Sequence, residues 1–294
     1  MSQTNCWKTE QSFIMICGDI TDPEIYSQII ESSRGVDLLM ATPPCQGMSA
    51  ANAMKKPNDP RNSLIKKVVA AINDLDPTYI LIENVRAMQK TFINHNGSAI
   101  GILEFIKQNI SPDYEMECKV LNSSDLGTPQ HRKRLITLIS KGGVWKHPKP
   151  LDTTTTVRQA IGHLPSLESE EKTDIPWHFG RKHNSNHILW MKNTPTGKTA
   201  FDNRIHYPKT RDKDTGMMRR IKGFRTTYKR IEWDEPSPTI GMTNGAINSQ
   251  NNVHPGSLLE DGTYSDARVL SVKEIVVLCG LPETHYDKYE GKTA

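Results

Sequence analysis

The stretch Ala41-Thr42-Pro43-Pro44-Cys45-Gln46-Gly47-Met48-Ser49 follows the apolar run 36–40, which predicts a short strand. The two prolines end that strand and stiffen the chain beyond it. Gly47 then allows the backbone to turn just after the cysteine. A strand that ends in a rigid loop with a single thiol can hold a nucleophile. A small, buried and inert cysteine is the alternative for any lone Cys, so the surrounding sequence has to decide between the two.

Strands and helices alternate along the first half of the chain, as is typical of an α/β fold. Apolar runs predict strands at residues 13–17, 36–41, 79–82, 114–121 and 134–139, and amphipathic stretches predict helices at 23–33, 63–75 and 98–109. The strand, helix and strand within residues 36–82 predict a right-handed parallel crossover. Since Cys45 and Glu83 each follow one strand of that pair, we expect both at the same rim of the sheet.

Two other positions carry charge where predicted strands begin or end. Asp19 follows the first strand, and ligands of open α/β sheets bind at such ends; the alternative is that Asp19 only caps the turn before the helix that Asp22-Pro23 begins. Arg132 and Arg134 follow a turn, and alternate residues of extended chain project the same way. Both guanidinium groups can therefore face one site, although two surface arginines beside a strand remain the alternative.

The composition and the hydrophobic pattern of the sequence change after residue 140. Pro148-Lys149-Pro150 predicts a boundary between domains at 1–145 and 146–294. Residues 151–262 show little periodicity, and six basic residues fall within residues 219–230. Such a run is either a solvated face or a surface for nucleic acid, where weakly patterned basic segments suit reading of the major groove. A helix is predicted at 271–279.

Composition excludes several classes of protein. The chain has 294 residues, 36% of them hydrophobic, with a formal net charge of +4. Its five cysteines are scattered without a Cys-x-x-Cys pair, which argues against a disulfide framework and a zinc site and favours a reducing, cytoplasmic location. His178, His183 and His187 have no cysteine partners, so no metal is expected. No apolar run approaches the ~18 residues of a membrane span.

Six blocks occur in the order found in the DNA cytosine-5 methyltransferases, and the chain resembles that family. The blocks are Gly18-Asp19-Ile20, Pro44-Cys45-Gln46 with Ser49, Glu83-Asn84-Val85, the stretch from Val120-Leu121-Asn122 to Gly127-Thr128-Pro129-Gln130, Gln130-His131-Arg132-Lys133-Arg134, and Arg268-Val269-Leu270-Ser271-Val272-Lys273-Glu274 with Leu278-Cys279-Gly280-Leu281-Pro282. The resemblance covers residues 18–140 and 231–283 well and residues 141–230 loosely. Coincidence across six ordered blocks is negligible.

The resemblance implies a Rossmann-like methyltransferase sheet with a smaller, loop-rich target-recognition domain that the helix at 271–279 braces. It implies transfer of a methyl group from S-adenosylmethionine to C5 of a flipped-out cytosine in a specific sequence of double-stranded DNA, within a restriction-modification system. Catalytic roles fall on Cys45, Glu83, Arg132 and Arg134, cofactor contacts on Asp19, Ile20 and Pro44, and DNA contacts on Gln46, Ser49 and Arg61. Cys45 is the nucleophile, Glu83 binds the cytosine N3 and amine, and Arg132 holds the cytosine O2 and shares charge with Glu83.

Two family segments have no counterpart in this sequence: the Gly-rich loop that holds S-adenosylmethionine and the final Asn-x-Val-Pro-Pro type motif. The sheet is therefore expected to be incomplete at its N-terminal strands, with an unpaired edge beside the strand that precedes Cys45. Two hypotheses follow. A complementing subunit carries the missing cofactor-binding motifs, or the chain is a truncated, inactive methyltransferase that retains only DNA binding.

Overall fold

The computed structural model describes residues 14–44, 60–221, 223, 226–241, 245–248 and 252–282, with the backbone alone at 60 and 61. Its contacts divide the chain into two compact units. The first comprises Met1–Leu121 and Lys133–His147, and the second comprises Asn122–Arg132 and Pro148–Ala294. The segment 122–132, which holds part of the family-like sequence, thus joins the second unit although it lies within the first half of the chain.

The first unit is built on a four-stranded mixed sheet. Its helices are α1 (Pro23–Ser32), α2 (Ile65–Leu75) and α3 (Ile102–Asn109), and its strands are β1 (Leu38–Ala41), β2 (Tyr79–Val85), β3 (Phe92–His95), β4 (Ser98–Gly101), β5 (Tyr114–Asn122) and β6 (Lys133–Lys141). The strand order is β1-β2-β6-β5, and β3 pairs with β4 separately. β1 runs parallel to β2, with Leu38 opposite Tyr79, which confirms the crossover predicted from the sequence. β6 lies antiparallel to β2.

Hydrophobic periodicity explains the core of this unit. The apolar stripe of α2 packs on the alternate residues of β2 and β6 that face it. The buried members are Ile65, Val68, Val69, Ile72, Ile80, Ile82, Leu135 and Ile139. Burying each such side chain contributes about 1.5–3 kcal/mol, so this packing stabilises the crossover. α2 ends at Asp76, which adopts a left-handed φ of 48°, a conformation that Asp tolerates better than most residues.

Two predicted elements are wrong in the described residues. Residues 14–17 form no strand, and Ile14 and Met15 are largely exposed, because a strand requires a neighbour to pair with. The helix predicted at 98–109 begins only at Ile102, since residues 98–101 form β4. The turn between β3 and β4 is Asn96-Gly97, with φ of 52° and 82°. Asn-Gly favours the tight hairpin turn in which both central residues have positive φ.

The second unit is rich in loops, as its weak periodicity predicted. Its regular elements are α4 (Val157–Ile161), α5 (Ser185–Lys192), β7 (Lys209–Arg211), β8 (Met218–Arg220) and α6 (Val272–Leu278). Thr156 and Ser271 form capping boxes with the glutamine or glutamate three residues later, which fixes the starts of α4 and α6. None of the helices in the ranges described is long and apolar enough to cross a membrane.

Candidate active site

The sequence assigns ten residues to the candidate site, and the structure describes the side chains of six of them. Cys45, Gln46 and Ser49 lie outside the described residues, as does the side chain of Arg61. The nucleophilic role of Cys45 and the DNA contacts of the other three stay predictions. The structure does describe the strand and the prolines that lead to Cys45, and it describes the side chains of the neighbouring strand.

Glu83 forms an ion pair with Arg134 on the sheet of the first unit. Arg134 Nε donates to Glu83 Oε1 at 2.9 Å, and the two side chains are 22% and 31% accessible. Register explains the contact, because Glu83 lies opposite Ile136 and Arg134 is the diagonal neighbour two residues away on β6. A cation thus holds the orientation of the carboxylate while water and ligand can still reach it.

The resemblance implies that Arg132 shares charge with Glu83, and the structure shows that Arg134 pairs with Glu83 as well. Arg134 lies within β6, where the antiparallel register brings it to the face of Glu83. Arg132 precedes β6, is exposed and belongs to the second unit. The predicted contact of Arg132 with cytosine O2 stays a prediction.

Asn84 connects the end of β2 to the chain just before Cys45. Its Nδ2 donates to the carbonyl of Pro43 at 3.0 Å, and its Oδ1 accepts from the backbone N–H of Val85 at 2.9 Å. The Asn84 side chain is buried at 2% exposure, so these bonds are shielded from competing water. Asn84 therefore fixes the backbone two residues before the predicted nucleophile, beside the Glu83 carboxylate.

The segment 122–132 closes on itself within the second unit. The Ser123 backbone N–H donates to the Arg132 carbonyl at 3.1 Å, and the Ser123 hydroxyl donates to the Gln130 carbonyl at 2.6 Å. A parallel bridge joins Gln130 to Ser237, and the N–H of His131 donates to the Ser237 carbonyl at 2.7 Å. These bonds fix the backbone from which Arg132 projects.

Asp19, Ile20 and Pro44 are the predicted cofactor contacts. Asp19 accepts from the backbone N–H and the hydroxyl of Thr21, each at 2.8 Å. These two bonds lower the pKa of its exposed carboxyl. The helix α1 is instead capped by Asp22, which accepts from the N–H of Glu24. Asp19 therefore remains an ionised acceptor that solvent reaches, whereas Ile20 is half-buried and Pro44 is exposed.

One face of the sheet is largely exposed at the β1–β2 corner. Leu38 and Met40, which share a face of β1, are 45% and 62% exposed. Tyr79 beside Leu38 is 44% exposed and packs edge-on against Trp145. The opposite face of β1 packs on the core through Leu39 and Ala41. β1 is also the edge strand, since within the described residues it pairs only with β2. An apolar edge and face of this kind are usually covered by another element.

A buried ionic network organises the second unit. Arg268, fully buried, donates to Glu274 at 2.8 and 2.9 Å and to Asp266 at 2.8 Å. Burial raises the pKa of both carboxyls, but the neighbouring His254 and Arg268 side chains outweigh it and lower each pKa to about 2. The Arg and Glu of the Arg268–Glu274 block are thus paired with each other, and they hold the start of α6.

The basic cluster at 219–230 has two different environments in the structure. Arg219 and Arg220 are exposed on β8. Arg230 is fully buried and donates to the carbonyls of Met191, His254, Ser265 and Asp266. Burial lowers the pKa of Arg230 to about 10. Arg230 therefore supports the fold and cannot belong to a DNA-binding surface, a distinction that the composition of the cluster did not reveal.

The three histidines considered as metal ligands have other contacts. His178 bonds to the Ser271 hydroxyl and the Pro165 carbonyl. His183 accepts from the N–H of Val269, and His187 packs on Trp190. Among the described residues, no group of three or more His, Cys, Asp or Glu side chains is arranged to hold a metal ion.

A solved structure shares the fold. A candidate DNA modification methyltransferase encoded within a prophage (E. coli) superposes with a TM-score of 0.57 at 19% identity, over 90% of this chain and 75% of its own. The likeness, together with the mixed sheet, confirms the predicted fold class: an α/β protein with a Rossmann-like sheet, of which the described residues form four strands, and a loop-rich second part.

The sequence comparisons are more specific. The family model of the C-5 cytosine-specific DNA methylases matches residues 2–294. The Type II methyltransferase M1.HgaI of Avibacterium volantium is 45% identical over 276 residues, covering 92% of this chain and 76% of that protein. The Type II methyltransferase M1.HphI of Haemophilus parahaemolyticus is 30% identical, covering 85% of this chain and 60% of that protein. The chain belongs to the C-5 cytosine-specific DNA methylase family.

Proposed function

We propose that this chain supplies the catalytic and DNA-reading parts of an enzyme that methylates C5 of a flipped-out cytosine in duplex DNA, within a restriction-modification system. The methyl donor is S-adenosylmethionine. The observation that carries the proposal is the arrangement on adjacent strands: the Glu83–Arg134 pair lies next to Asn84, and Asn84 holds Pro43 just before Cys45.

The reaction requires a nucleophile from the enzyme, because C5 of cytosine is too weak a nucleophile to take the methyl group unaided. The Cys45 thiolate adds to C6, and the electron pair of the C5–C6 bond becomes available at C5. C5 then takes the methyl group from the sulfonium donor, which leaves as a neutral thioether. A base removes the C5 proton, the C5–C6 double bond re-forms and the thiolate departs. A base stacked in the duplex is inaccessible to these steps, so the cytosine must flip out.

Glu83 assists the first step by binding the ring N3 and the exocyclic amine of cytosine. The Glu83 carboxyl donates a proton to N3 as the thiolate adds, which lets the ring accept the electron pair, and the proton returns to Glu83 when the thiolate leaves. Arg134, which donates to Glu83 at 2.9 Å, keeps that carboxylate in place. Positive charge near the Cys45 loop also favours the thiolate over the thiol, whose ordinary pKa is near ~8.5.

The cofactor contacts are assigned to Asp19, Ile20 and Pro44, with the Asp19 carboxylate as acceptor for an adenine amino group. A second polypeptide with a Gly-rich strand and loop completes this subsite. The exposed side chains of Leu38 and Met40, together with the edge of β1 that pairs with no other described strand, support this part of the proposal. The expected occupant pairs with β1 and covers those side chains.

The test measures transfer of labelled methyl from S-adenosylmethionine to mixed-sequence duplex DNA. The chain is assayed alone and together with a polypeptide that carries a Gly-rich methyltransferase loop. Transfer only in the mixture supports the two-part enzyme, and transfer by the chain alone contradicts the need for a partner. Absence of transfer in both, with DNA binding retained, supports the inactive fragment instead.

A matched pair of cysteine variants separates the nucleophile from the other thiols. Cys45→Ala is expected to abolish transfer. Cys118→Ala is expected to leave it intact, because Cys118 is half-buried beside Thr137 and burial raises the pKa of its thiol. Transfer by Cys45→Ala at the unmodified rate would refute the mechanism.

A further inference from the structure

Residues 209–220 form an exposed two-stranded ribbon in the second unit. β7 and β8 pair antiparallel, with Lys209 opposite Arg220 and Arg211 opposite Met218. All but two of the residues in the ribbon are exposed, on both of its faces. Since an isolated hairpin is only marginally stable in water, the fold has to hold this one from outside, and its two open faces remain available to a ligand.

The base of the ribbon is anchored firmly. Arg220 donates to the carbonyls of Phe201 at 2.6 Å and Asn203 at 3.1 Å. The guanidinium group of Arg220 lies 3.7 Å from the centre of the Tyr207 ring, and the Lys209 ammonium lies 4.6 Å from it. These contacts fix the ribbon to the body of the unit.

The tip of the ribbon is ordered by its own hydrogen bonds. Asp212 Oδ1 accepts from the N–H groups of Asp214 and Thr215, at 3.1 and 3.0 Å. These bonds lower the pKa of Asp212, which also pairs with Arg219 at 3.4 Å. The ribbon therefore projects in a preformed shape and needs little ordering on binding.

Charge and apolar surface alternate on this projecting part. Residues 209–220 contain five Lys or Arg and two Asp, so the ribbon is complementary to phosphates. Arg211 and Lys213 make no side-chain bond with any residue in the described ranges. Met217 and Met218 are 68% and 59% exposed beside them. Exposed methionines between cations suit a surface that is both anionic and locally apolar, which describes a DNA groove carrying thymine methyl groups.

We infer that residues 209–220 insert into the major groove, with Arg211 and Lys213 on phosphates and Met217 and Met218 against a thymine C5-methyl group. The inference rests on the proposed function, for which it names the reading element and one base of the site. A two-stranded ribbon matches the ~12 Å width of the major groove. The recognition sequence therefore contains a thymine that is read by its methyl group.

The test begins with selection of bound duplexes from a random pool by the protein. The thymines of the selected site are then replaced singly by deoxyuridine, which lacks only the methyl group. One replacement is expected to weaken binding by the unmodified protein about fourfold, the value for loss of one buried methyl. Met217→Gln with Met218→Gln should bind the thymine duplex more weakly and show no further loss with deoxyuridine. The control Leu258→Gln removes an equally exposed apolar side chain from the same unit and should behave as the unmodified protein.

The charge contacts are tested separately through salt dependence. Arg211→Gln with Lys213→Gln should weaken binding to all duplexes alike and lower the slope of log K against log[salt] by about two. Lys107→Gln with Lys119→Gln, two exposed lysines of the first unit, should leave the slope unchanged. Equal sensitivity to deoxyuridine in the methionine variant, or a selected site without thymine, would overturn the inference.

Methyl transfer onto the selected duplex distinguishes this inference from the proposed function. If the unmodified protein methylates the selected duplex but the methionine variant is as sensitive to deoxyuridine as the unmodified protein, the ribbon contact alone is refuted. If the methionine variant loses its sensitivity to deoxyuridine but the unmodified protein transfers no methyl group, the proposed function is refuted and the ribbon contact remains supported.

Discussion

Replacing Asn84 with alanine removes two hydrogen bonds. The bond to Pro43 holds the chain before Cys45, and the bond from Val85 fixes the orientation of the amide group that makes it. The bonds to the Pro43 carbonyl and the Val85 N–H measure 3.0 and 2.9 Å. Pro43 and Val85 are half-buried, so water replaces part of each lost bond and the net contribution is about 1 kcal/mol apiece. If the whole ~2 kcal/mol acts on the position of the thiol in the transition state, the rate constant falls about 30-fold, because ~1.4 kcal/mol is one factor of ten.

The assay is steady-state methyl transfer by whichever preparation proves active. Asn84→Ala should lower kcat about 30-fold while the KM for DNA changes little, since the Asn84 side chain is buried and bonds to the backbone of Pro43 and Val85. Asn73→Ala is the matched control: it deletes a 2.9 Å bond from Asn73 to the Asn109 carbonyl, elsewhere in the same unit, and kcat should not change. An Asn84→Ala enzyme with unchanged kcat, or with a raised KM alone, would refute the positioning argument.

Three further predictions concern charge. Glu83→Gln keeps the shape of the side chain but removes its charge, and transfer should fall ~10²–10⁴-fold, as for a lost acid-base group; retained activity would contradict its role. Arg268→Met removes the guanidinium group that pairs with two buried carboxylates and should lower the urea midpoint by an amount equal to ~3–5 kcal/mol, whereas Arg158→Met, at an exposed pair, should change it little. Burial lowers the pKa of His254 to about 4, so as the pH falls the unfolded chain takes up a proton on this histidine before the folded protein does. The free energy of unfolding should therefore be highest above pH ~6.5 and fall by up to ~3 kcal/mol toward pH ~4. Unfolding that is independent of pH in this range would contradict the prediction.

Burial favours the neutral form of His254 more strongly than the carboxylates of Asp266 and Glu274, each 3.6 Å from a ring nitrogen, favour the charged form. The N–H of Gly256 donates to its Nδ1 at 3.1 Å, so this nitrogen is an acceptor in the folded protein. His183 also lowers the free energy of unfolding as the pH falls from ~6.5 toward ~4, because burial lowers its pKa to about 4 as well. A His254→Gln variant should therefore lose about half of the pH dependence and keep the part that His183 contributes.

Local patterns were sufficient to predict the crossover from β1 to β2. The apolar stripe of α2 and the alternation in β2 follow directly from hydrophobic periodicity, and the helix-strand order then fixes the parallel pairing. Glu83 and the chain before Cys45 are neighbours for the same reason. Motif order alone identified the family, which the comparisons confirm.

Contacts between distant segments could not be predicted in this way. The ion pair between Glu83 and Arg134 depends on the antiparallel register of β6, which no local pattern encodes. Residues 13–17 have the composition of a strand, but a strand exists only with a neighbour. The buried state of Arg230 depends on four carbonyls from other segments. The ribbon at 209–220 did carry a signal, the Asp-Lys-Asp-Thr-Gly turn between basic residues, but its strands are too short for a periodicity to appear.

The most direct test of the central claim is to trap the nucleophile on DNA. In a duplex with 5-fluorocytosine at the target, C5 carries no proton to remove after methyl transfer, so the thiolate cannot leave and the adduct persists. Digestion with trypsin and nuclease, followed by mass spectrometry, should locate the modified nucleotide on the peptide of residues 35–55, at Cys45. An adduct on another residue, or methyl transfer without any adduct, would contradict the account.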